Sequence, residues 1–515
     1  MAIDAGTGSG RAIVYDLTGN VVALAQEEWV HPQVNGVPGG LDFMTEANGL
    51  LLDRVIRKAI DVAKVDADEI GAVSTTSMRE GFVLYDKAGC ELWACPNIDS
   101  RAIVEADELV AQGAADRIFK LAGDWVSITA PARLLWIKRY HPEIYDKVHH
   151  IGMISDWIGT RLSGVYATEP SAGSSSALFD LAKRDWSPEL LSIVDLDRAV
   201  VPDVVESGTV IGAVTKAAAK RCGLVAGTPV VTGGGDTQLA LLGLGRRAGQ
   251  ATLVGGSLWQ MTILSKLPLI DPGFGPRTLC HARPGEWMTE GIGFLSGFAH
   301  RWMRDAFFEP LRRTLGAEGD SFSIMENLAT SVPPGAHGVI ATTAKPMQSD
   351  AWVQPPLGML GFDINRPEVA LGSAVRAVME ASAFLVHDHL KTLERLSELR
   401  YDTIQFTGGS SQSTAWSQIV SDVTGRPIDI PVVKETTALG CAMLAASGAG
   451  LFSSLDEAVS AMASPIERSV EPSLDTQQVY GEIEARWRGV TEGAFTMTEN
   501  DFLEPLWRPA GARKG

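Results

Sequence analysis

Asp236 has the most telling surroundings of any proton-accepting side chain in the sequence. The run VTGGGDTQLA at 231–240 sets this carboxylate on a glycine turn at the end of an apolar strand. A carboxylate so placed suits general base catalysis. Val230 and Val231 read as a buried strand, and Gly233, Gly234 and Gly235 let a substrate or phosphate approach the backbone where a Cβ would obstruct it. A tight turn closed by an aspartate side chain uses the same residues, so the motif gains weight only from others like it.

A second glycine motif opens the chain. Met1, Ala2 and Ile3 run as a short apolar segment into Asp4, Ala5, Gly6, Thr7, Gly8, Ser9, Gly10 and Arg11. Residues 12–15, a turn at Thr18, Gly19 and Asn20, and residues 21–25 predict a hairpin, which puts the glycines in a strand-to-strand turn. A Walker loop or a dinucleotide fingerprint is thereby excluded, since both need a helix N-terminus behind the glycines. Such a hairpin instead offers backbone N–H groups and two hydroxyls, a nest for phosphate oxygens, with Arg11 as a nearby cation.

A third motif, Phe406, Thr407, Gly408, Gly409 and Ser410, leads into a helix whose buried face carries Trp416, Ile419, Val420 and Val423 and which ends at Gly425. A strand through Ile428 and Ile430 follows, then Glu435, Thr436 as N-cap, and a small-residue helix in which Gly440 reads as a packing residue.

These motifs, in this order, resemble the FGGY family of carbohydrate kinases, which includes glycerol kinase, xylulokinase and ribulokinase, and the resemblance covers nearly the whole chain. It implies an α/β protein of two-domain actin-like (ribonuclease H-like) fold, with ATP and substrate in the cleft between domains. The family's N-terminal DxGTxSxR loop, matched by Asp4, Gly6, Thr7, Ser9 and Arg11, binds nucleotide phosphates. By the same resemblance Asp236 is the catalytic base. Thr7, Gly8, Ser9, Gly256 and Ser257 contact phosphates. Gly297, Arg301, Gly408, Gly409, Ser413, Trp416 and Gln418 complete the nucleotide site, although Arg301 stands where relatives often have Gln. Mg²⁺ is implied as cofactor, with Asp4 and Asp236 as ligands acting largely through water.

For the acceptor, Arg79 and Glu80 match an Arg-Glu pair that binds hydroxyls in glycerol kinase, and Asp99 and Arg101 are weaker candidates that would also serve as a structural salt bridge. A Trp usually stands where this chain has Asn97, two residues before Asp99, which weighs against an ordinary sugar kinase. The runs SMREG (77–81), WAC (93–95), NIDSRA (97–102), MISDW (153–157), VPPG (332–335) and PVVKETTALGC (431–441) resemble a branch of the family that phosphorylates a small linear dihydroxydione on its primary hydroxyl. A kinase of xylulose, ribulose or glycerol, and an inactive sugar-binding regulator, are the alternatives.

Composition agrees. With 515 residues, 45% hydrophobic and 21% charged, the chain has material for several domains with large cores. A formal charge of −18 argues against nucleic-acid binding. Five cysteines suit a reducing compartment, and Cys90 and Cys95, without a second pair at ligand spacing, read as packing residues and not as a zinc site. No segment reads as a signal peptide or membrane span, 436–455 being too rich in Gly, Ser and Thr, so a cytoplasmic protein is expected, compatible with a homodimer. Relatives carry a few residues before the first strand. Opening three residues ahead of Asp4, this chain is therefore expected to have a shortened N-terminus and a frail first strand.

The elements that must position these residues fall into two similar halves. Residues 250–254, a turn at Gly255, Gly256 and Ser257, and residues 259–264 repeat the strand, glycine turn, strand plan of the N-terminus. The expected division is 1–246, 247–455 and a helical extension over 456–515, anchored by Trp487 and Trp507. Helices are predicted over 45–64, with Leu51, Val55, Val62 and Ala63 on its inner side, and over 368–396. Closure of the cleft is expected because a kinase must keep water from the γ-phosphate.

Overall fold

The computed structural model describes residues 1–293, 295–316, 318–344, 346, 353–432 and 435–506. Each half of the chain is built on one mixed sheet. The first holds β1 (Ala2–Ala5), β2 (Ser9–Tyr15), β3 (Val21–Glu28), β4 (Val73–Ser77), β5 (Val210–Ala213) and β6 (Pro229–Gly235), in the order β5-β6-β4-β1-β2-β3. β1, β2 and β3 form an antiparallel meander. β4 lies parallel to β1 and β6 parallel to β4, while β5 closes the edge in the antiparallel sense. The short β1 is not frail: all four of its residues are buried, and it pairs on both edges.

The second sheet holds β7 (Ala251–Gly255), β8 (Trp259–Ser265), β9 (Arg277–Cys280), β10 (Trp287–Gly293), β11 (Ile404–Thr407), β12 (Ile428–Pro431) and β13 (Ile466–Val470), in the order β9-β10-β8-β7-β11-β12-β13. Here too an antiparallel meander (β7, β8, β10) adjoins two parallel strands (β11, β12) and an antiparallel edge strand (β13). The repeat is that of the actin-like fold. β13 interrupts the mostly helical stretch expected from 456 on: the polar sequence IERSV suits an exposed sheet edge, and only Val470 of it is buried.

Helices cover both sheets. α1 (Thr45–Ala63) buries Leu51, Leu52, Val55, Ile56 and Ala59 in the first core, whereas Val62, expected on that face, is half exposed. α2 (Ile154–Ser163) covers the same sheet, and α3 (Asp236–Gly243) continues β6. α4 (Ser296–Met303), α5 (Ser321–Thr330), α6 (Ala370–Ser397) and α7 (Thr414–Thr424) surround the second sheet. The sequence of α6 is long and apolar enough to cross a bilayer, yet 83% of its most apolar window is buried, as in a core helix. α8 (Thr436–Gly448) packs on α3, and α9 (Leu474–Glu499) seats Trp487 against Phe384 of α6. Trp507 lies outside the described residues.

A three-stranded sheet of Phe82–Tyr85, Glu91–Cys95 and His150–Met153 builds a further core on the first lobe, with Phe119, Trp125 and Phe179 buried beside it. Cys95 packs there, whereas Cys90 is exposed. Between the lobes α3 and α8 cross backbone to backbone. A Cβ on Gly243 would stand 2.1 Å from the Thr436 carbonyl oxygen, and one on Gly440 2.0 Å from that of Leu239, which gives Gly440 its packing role.

Candidate active site

β6 runs through its three glycines directly into α3, so the expected glycine turn is instead strand, and Asp236 is the first helical residue. The glycines make room for protein. A Cβ on Gly233 would lie 1.8 Å from the Thr75 carbonyl oxygen, and one on Gly234 2.3 Å from Ser171 Oγ. At the end of this crowded strand the Asp236 side chain remains 42% accessible. The Thr237 N–H donates to its Oδ1 at 2.7 Å, and the N-terminus of α3 favours its negative charge. Burial nevertheless raises its pKa above the usual aspartate value. Arg79, whose Nε lies 3.5 Å from Oδ1, opposes that rise, and Glu80 and Glu290 add to it.

Arg79 and Glu80 follow β4 and are both buried, which excludes a solvated ion pair. Arg79 Nη1 donates to Glu290 Oε1 at 2.8 Å, and Glu80 Oε1 accepts from Arg277 Nη1 at 2.8 Å. Arg277 also reaches Asp124 Oδ2 at 3.2 Å. Burial raises Asp124 to a pKa of about 6 against the pull of Arg277. Glu80 takes a left-handed φ of 61°, with its carbonyl held by Arg133 Nη1 at 2.7 Å.

Asp99 and Arg101 form the structural salt bridge that was their other reading. Asp99 is fully buried, accepting from the Leu41 N–H at 2.8 Å and from Arg101 Nε at 2.8 Å, while Arg133 Nε stands 3.3 Å away. Arg101 reaches Asp42 at 2.7 Å and lies between the rings of Trp93 and Trp136.

The turn between β1 and β2 is held from behind. Trp29 Nε1 donates to the carbonyls of Gly6 (3.1 Å) and Thr7 (3.2 Å), the Trp29 N–H to that of Gly8 (3.1 Å), and His31 Nε2 meets the Thr7 carbonyl at 2.7 Å. Burial lowers the His31 pKa, so a neutral ring donating from Nε2 accounts for this contact. Thr7 Oγ1 donates to Asn97 Oδ1 at 3.2 Å, tying the turn to the segment that follows Glu91–Cys95. Ser9 opens β2. Arg11 is engaged with Asp4 and, at 2.5 Å, with Glu435 Oε2. Glu435, not Thr436, occupies the N-cap position of α8, in a left-handed conformation with φ 60°, and its carbonyl accepts from Tyr15 Oη at 3.0 Å.

In the second lobe a cavity of about 580 Å³ opens among β7, α4, α5 and the β11–α7 turn, lined by Gly256, Ser257, Gly297, Arg301, Gly409 and Ser413 among others. Glycine makes this floor possible. A Cβ on Gly297 would lie 1.9 Å from the Gly256 carbonyl oxygen, and one on Gly408, at φ +91°, 2.6 Å from that of Gly255. Ser413 caps α7: its Oγ accepts from the Trp416 N–H at 3.1 Å and donates to Glu326 Oε1 at 3.1 Å. Trp416 is buried against Trp259 and His300, and Arg301 lies over the Phe298 ring. Gln418 is corrected: its amide is bonded to Asp422 Oδ1 (2.8 Å) and the Glu471 carbonyl (3.0 Å), and it does not line the cavity. His300, Phe322 and Glu326 also line it, and no motif in the sequence marks them.

Comparison with known proteins agrees with this layout. Residues 1–243 match the FGGY family of carbohydrate kinases, N-terminal domain, and residues 253–449 its C-terminal domain. The chain belongs to the FGGY family of carbohydrate kinases. Among curated relatives of this FGGY chain, autoinducer-2 kinases of Yersinia pestis bv. Antiqua (strain Angola) and Yersinia enterocolitica serotype O:8 are each 38% identical, over 99% of this chain and 97% of theirs. Among solved structures, a xylulose kinase from Rhodospirillum rubrum superposes with TM-score 0.84 at 23% identity, covering 97% of this chain and 99% of that one. A ligand-bound xylulose kinase from Lactobacillus acidophilus gives 0.86 at 19%, with the same coverage. Those likenesses establish the fold.

A divalent ion in this FGGY site would meet Asp4 and Asp236. Asp4 is 2% exposed, and burial raises its pKa to about 6 despite Arg11, so its anion is short of compensating charge. Among the described residues no cluster of three or more His, Cys, Asp or Glu forms a metal cage. Two carboxylates, one at the end of β1 and one at the start of α3, fit Mg²⁺, which keeps several waters and takes few protein ligands.

Proposed function

We propose that this FGGY kinase transfers the γ-phosphoryl group of ATP to a primary hydroxyl of 4,5-dihydroxy-2,3-pentanedione, the linear form of autoinducer-2, giving its 5-phosphate in the cytoplasm. The observation that carries the reading is the 38% identity to autoinducer-2 kinases over nearly the full chain. The cleft geometry supports it: one accessible carboxylate, Asp236, beside the paired Arg79 and Glu80.

Phosphoryl transfer passes through a loose, in-line transition state, so positioning and charge neutralisation dominate. In this reading Asp236 accepts the proton of the acceptor hydroxyl as that oxygen attacks phosphorus, and its raised pKa suits a group that must hold the proton briefly. Arg79 and Glu80 orient the acceptor. Backbone N–H groups and hydroxyls of Thr7, Gly8, Ser9, Gly256 and Ser257 bind the phosphates, while Gly297, Arg301, Gly408, Gly409 and Ser413 shape the nucleoside pocket. Mg²⁺, held by Asp4 and Asp236 largely through water, would neutralise phosphate charge.

The test is ATP-dependent phosphorylation of the dione beside glycerol, xylulose and ribulose. A strong preference for the dione is expected. Preference for a plain sugar would discard the acceptor and keep the reaction, and no transfer to any of the four would sink the reading.

A further inference from the structure

Arg277 of β9 and Glu290 of β10 belong to the second sheet, yet their side chains end among residues of the first lobe. Glu290 Oε1 accepts from Arg79 Nη1 at 2.8 Å and from Arg277 Nε at 2.5 Å, and Arg277 Nη1 continues to Glu80 Oε1 at 2.8 Å. Arg79 in turn stands beside Asp236. The line from Asp236 through Arg79, Glu290 and Arg277 to Glu80 thus leaves the first lobe and returns to it. Glu290 is wholly buried and Arg277 4% exposed, so neither charge has water as an alternative partner and each is fixed by the others. Glu80 also keeps a left-handed backbone that a non-glycine residue holds only where its surroundings over-determine it.

We infer that Glu290 and Arg277 are positioning residues of the acceptor site, setting Arg79 and Glu80 from the opposite lobe, so that the acceptor site is complete only while the two lobes are apposed. This rests on the kinase reading above. It adds a division of labour: nucleotide is gripped by the glycine turns, whereas acceptor affinity reports the contact between lobes. Cutting Arg79 loose from Glu290 should weaken acceptor binding and spare ATP, because neither Arg277 nor Glu290 lines the nucleotide cavity.

The experiment compares Glu290→Gln with wild type in steady-state kinetics on 4,5-dihydroxy-2,3-pentanedione, xylulose, ribulose and glycerol, and repeats the substitution in an Arg79→Lys background. Loss of a charge-assisted hydrogen bond at Arg79 predicts a rise of about tenfold in KM for the acceptor, with KM for ATP within about twofold of wild type. In the Arg79→Lys background the same substitution should raise acceptor KM clearly less than in wild type, since the route through Arg79 is weakened and only that through Arg277 to Glu80 remains. If Glu290→Gln does not fold, Glu290→Asp, which keeps the charge on a shorter arm, is read by the same criteria. Equal shifts for acceptor and ATP, or an undiminished effect in the Arg79→Lys background, overturn this inference alone. A wild type that phosphorylates none of the four acceptors overturns the kinase reading together with it.

Discussion

Replacing Gly297 by alanine tests whether the second-lobe cavity depends on backbone contact between α4 and the β7–β8 turn. The added Cβ would lie 1.9 Å from the Gly256 carbonyl oxygen, where ordinary contact begins at 3.4 Å, so the two segments must part by about 1.5 Å. That displacement breaks the hydrogen bond from the Phe298 N–H to the Ser257 carbonyl, now 2.9 Å. Overpacking of this kind costs about 1–3 kcal/mol, which for a lobe of this size lowers the unfolding midpoint by roughly 2–4 °C per kcal/mol. Gly256 and Ser257 line the cavity beside Gly297, so a nucleotide bound there as proposed would lose contacts on both walls. Two hydrogen bonds at about 1 kcal/mol each correspond to a Kd about 30-fold weaker. Titration calorimetry with ADP and thermal unfolding read the two effects. Gly409→Ala is the control, because its Cβ meets nothing within 4 Å and the residue lines the same cavity. Its melting should match wild type. A Gly297→Ala protein with wild-type melting and ADP affinity within threefold of wild type would refute the argument.

Asp236→Ala should abolish phosphoryl transfer, by at least about a hundredfold in kcat, while ADP binding by calorimetry stays within about threefold of wild type; equal loss of both would mark the residue as structural. Asp156 gives a pH prediction. Burial lifts its pKa to about 8 against the hydrogen bond from the Met153 N–H, and the folded value lies above the unfolded one, so its contribution to stability is full at acid pH and lost as pH rises toward 8. Asp156→Asn removes that loss, and its stability relative to wild type should grow by up to about 3 kcal/mol between pH 5 and pH 7 in denaturant titrations. Parallel curves would show that Asp156 is ionised without cost.

Much of this layout was legible because it is local. Strand, glycine turn and strand are adjacent in sequence, and so are the carboxylate Asp236 and the strand before it. The meaning of the glycines was less legible: Gly233 and Gly234 are small to admit Thr75 and Ser171, partners that no local spacing announces. Ile466–Val470 escaped notice because an edge strand exposed on both faces lacks the alternation that marks a half-buried one. The brace from Arg277 and Glu290 to Arg79 and Glu80 joins residues about two hundred positions apart, where only the folded topology makes neighbours. Asp99 and Arg101 carried the right chemistry for a ligand, and only their burial showed that the loop already uses it.

The crossing of α3 and α8 at Gly243 and Gly440 has a mechanical consequence. With no side chain at these two positions the helices approach backbone to backbone, and Leu239 and Leu242 of α3 pack in one core with Leu439 and Met443 of α8 on either side of the crossing. Asp236 begins α3 and Thr436 begins α8, so the distance of the carboxylate from the second half of the chain is set by how closely two helix backbones can approach, and any side chain larger than hydrogen at Gly243 or Gly440 would lengthen it.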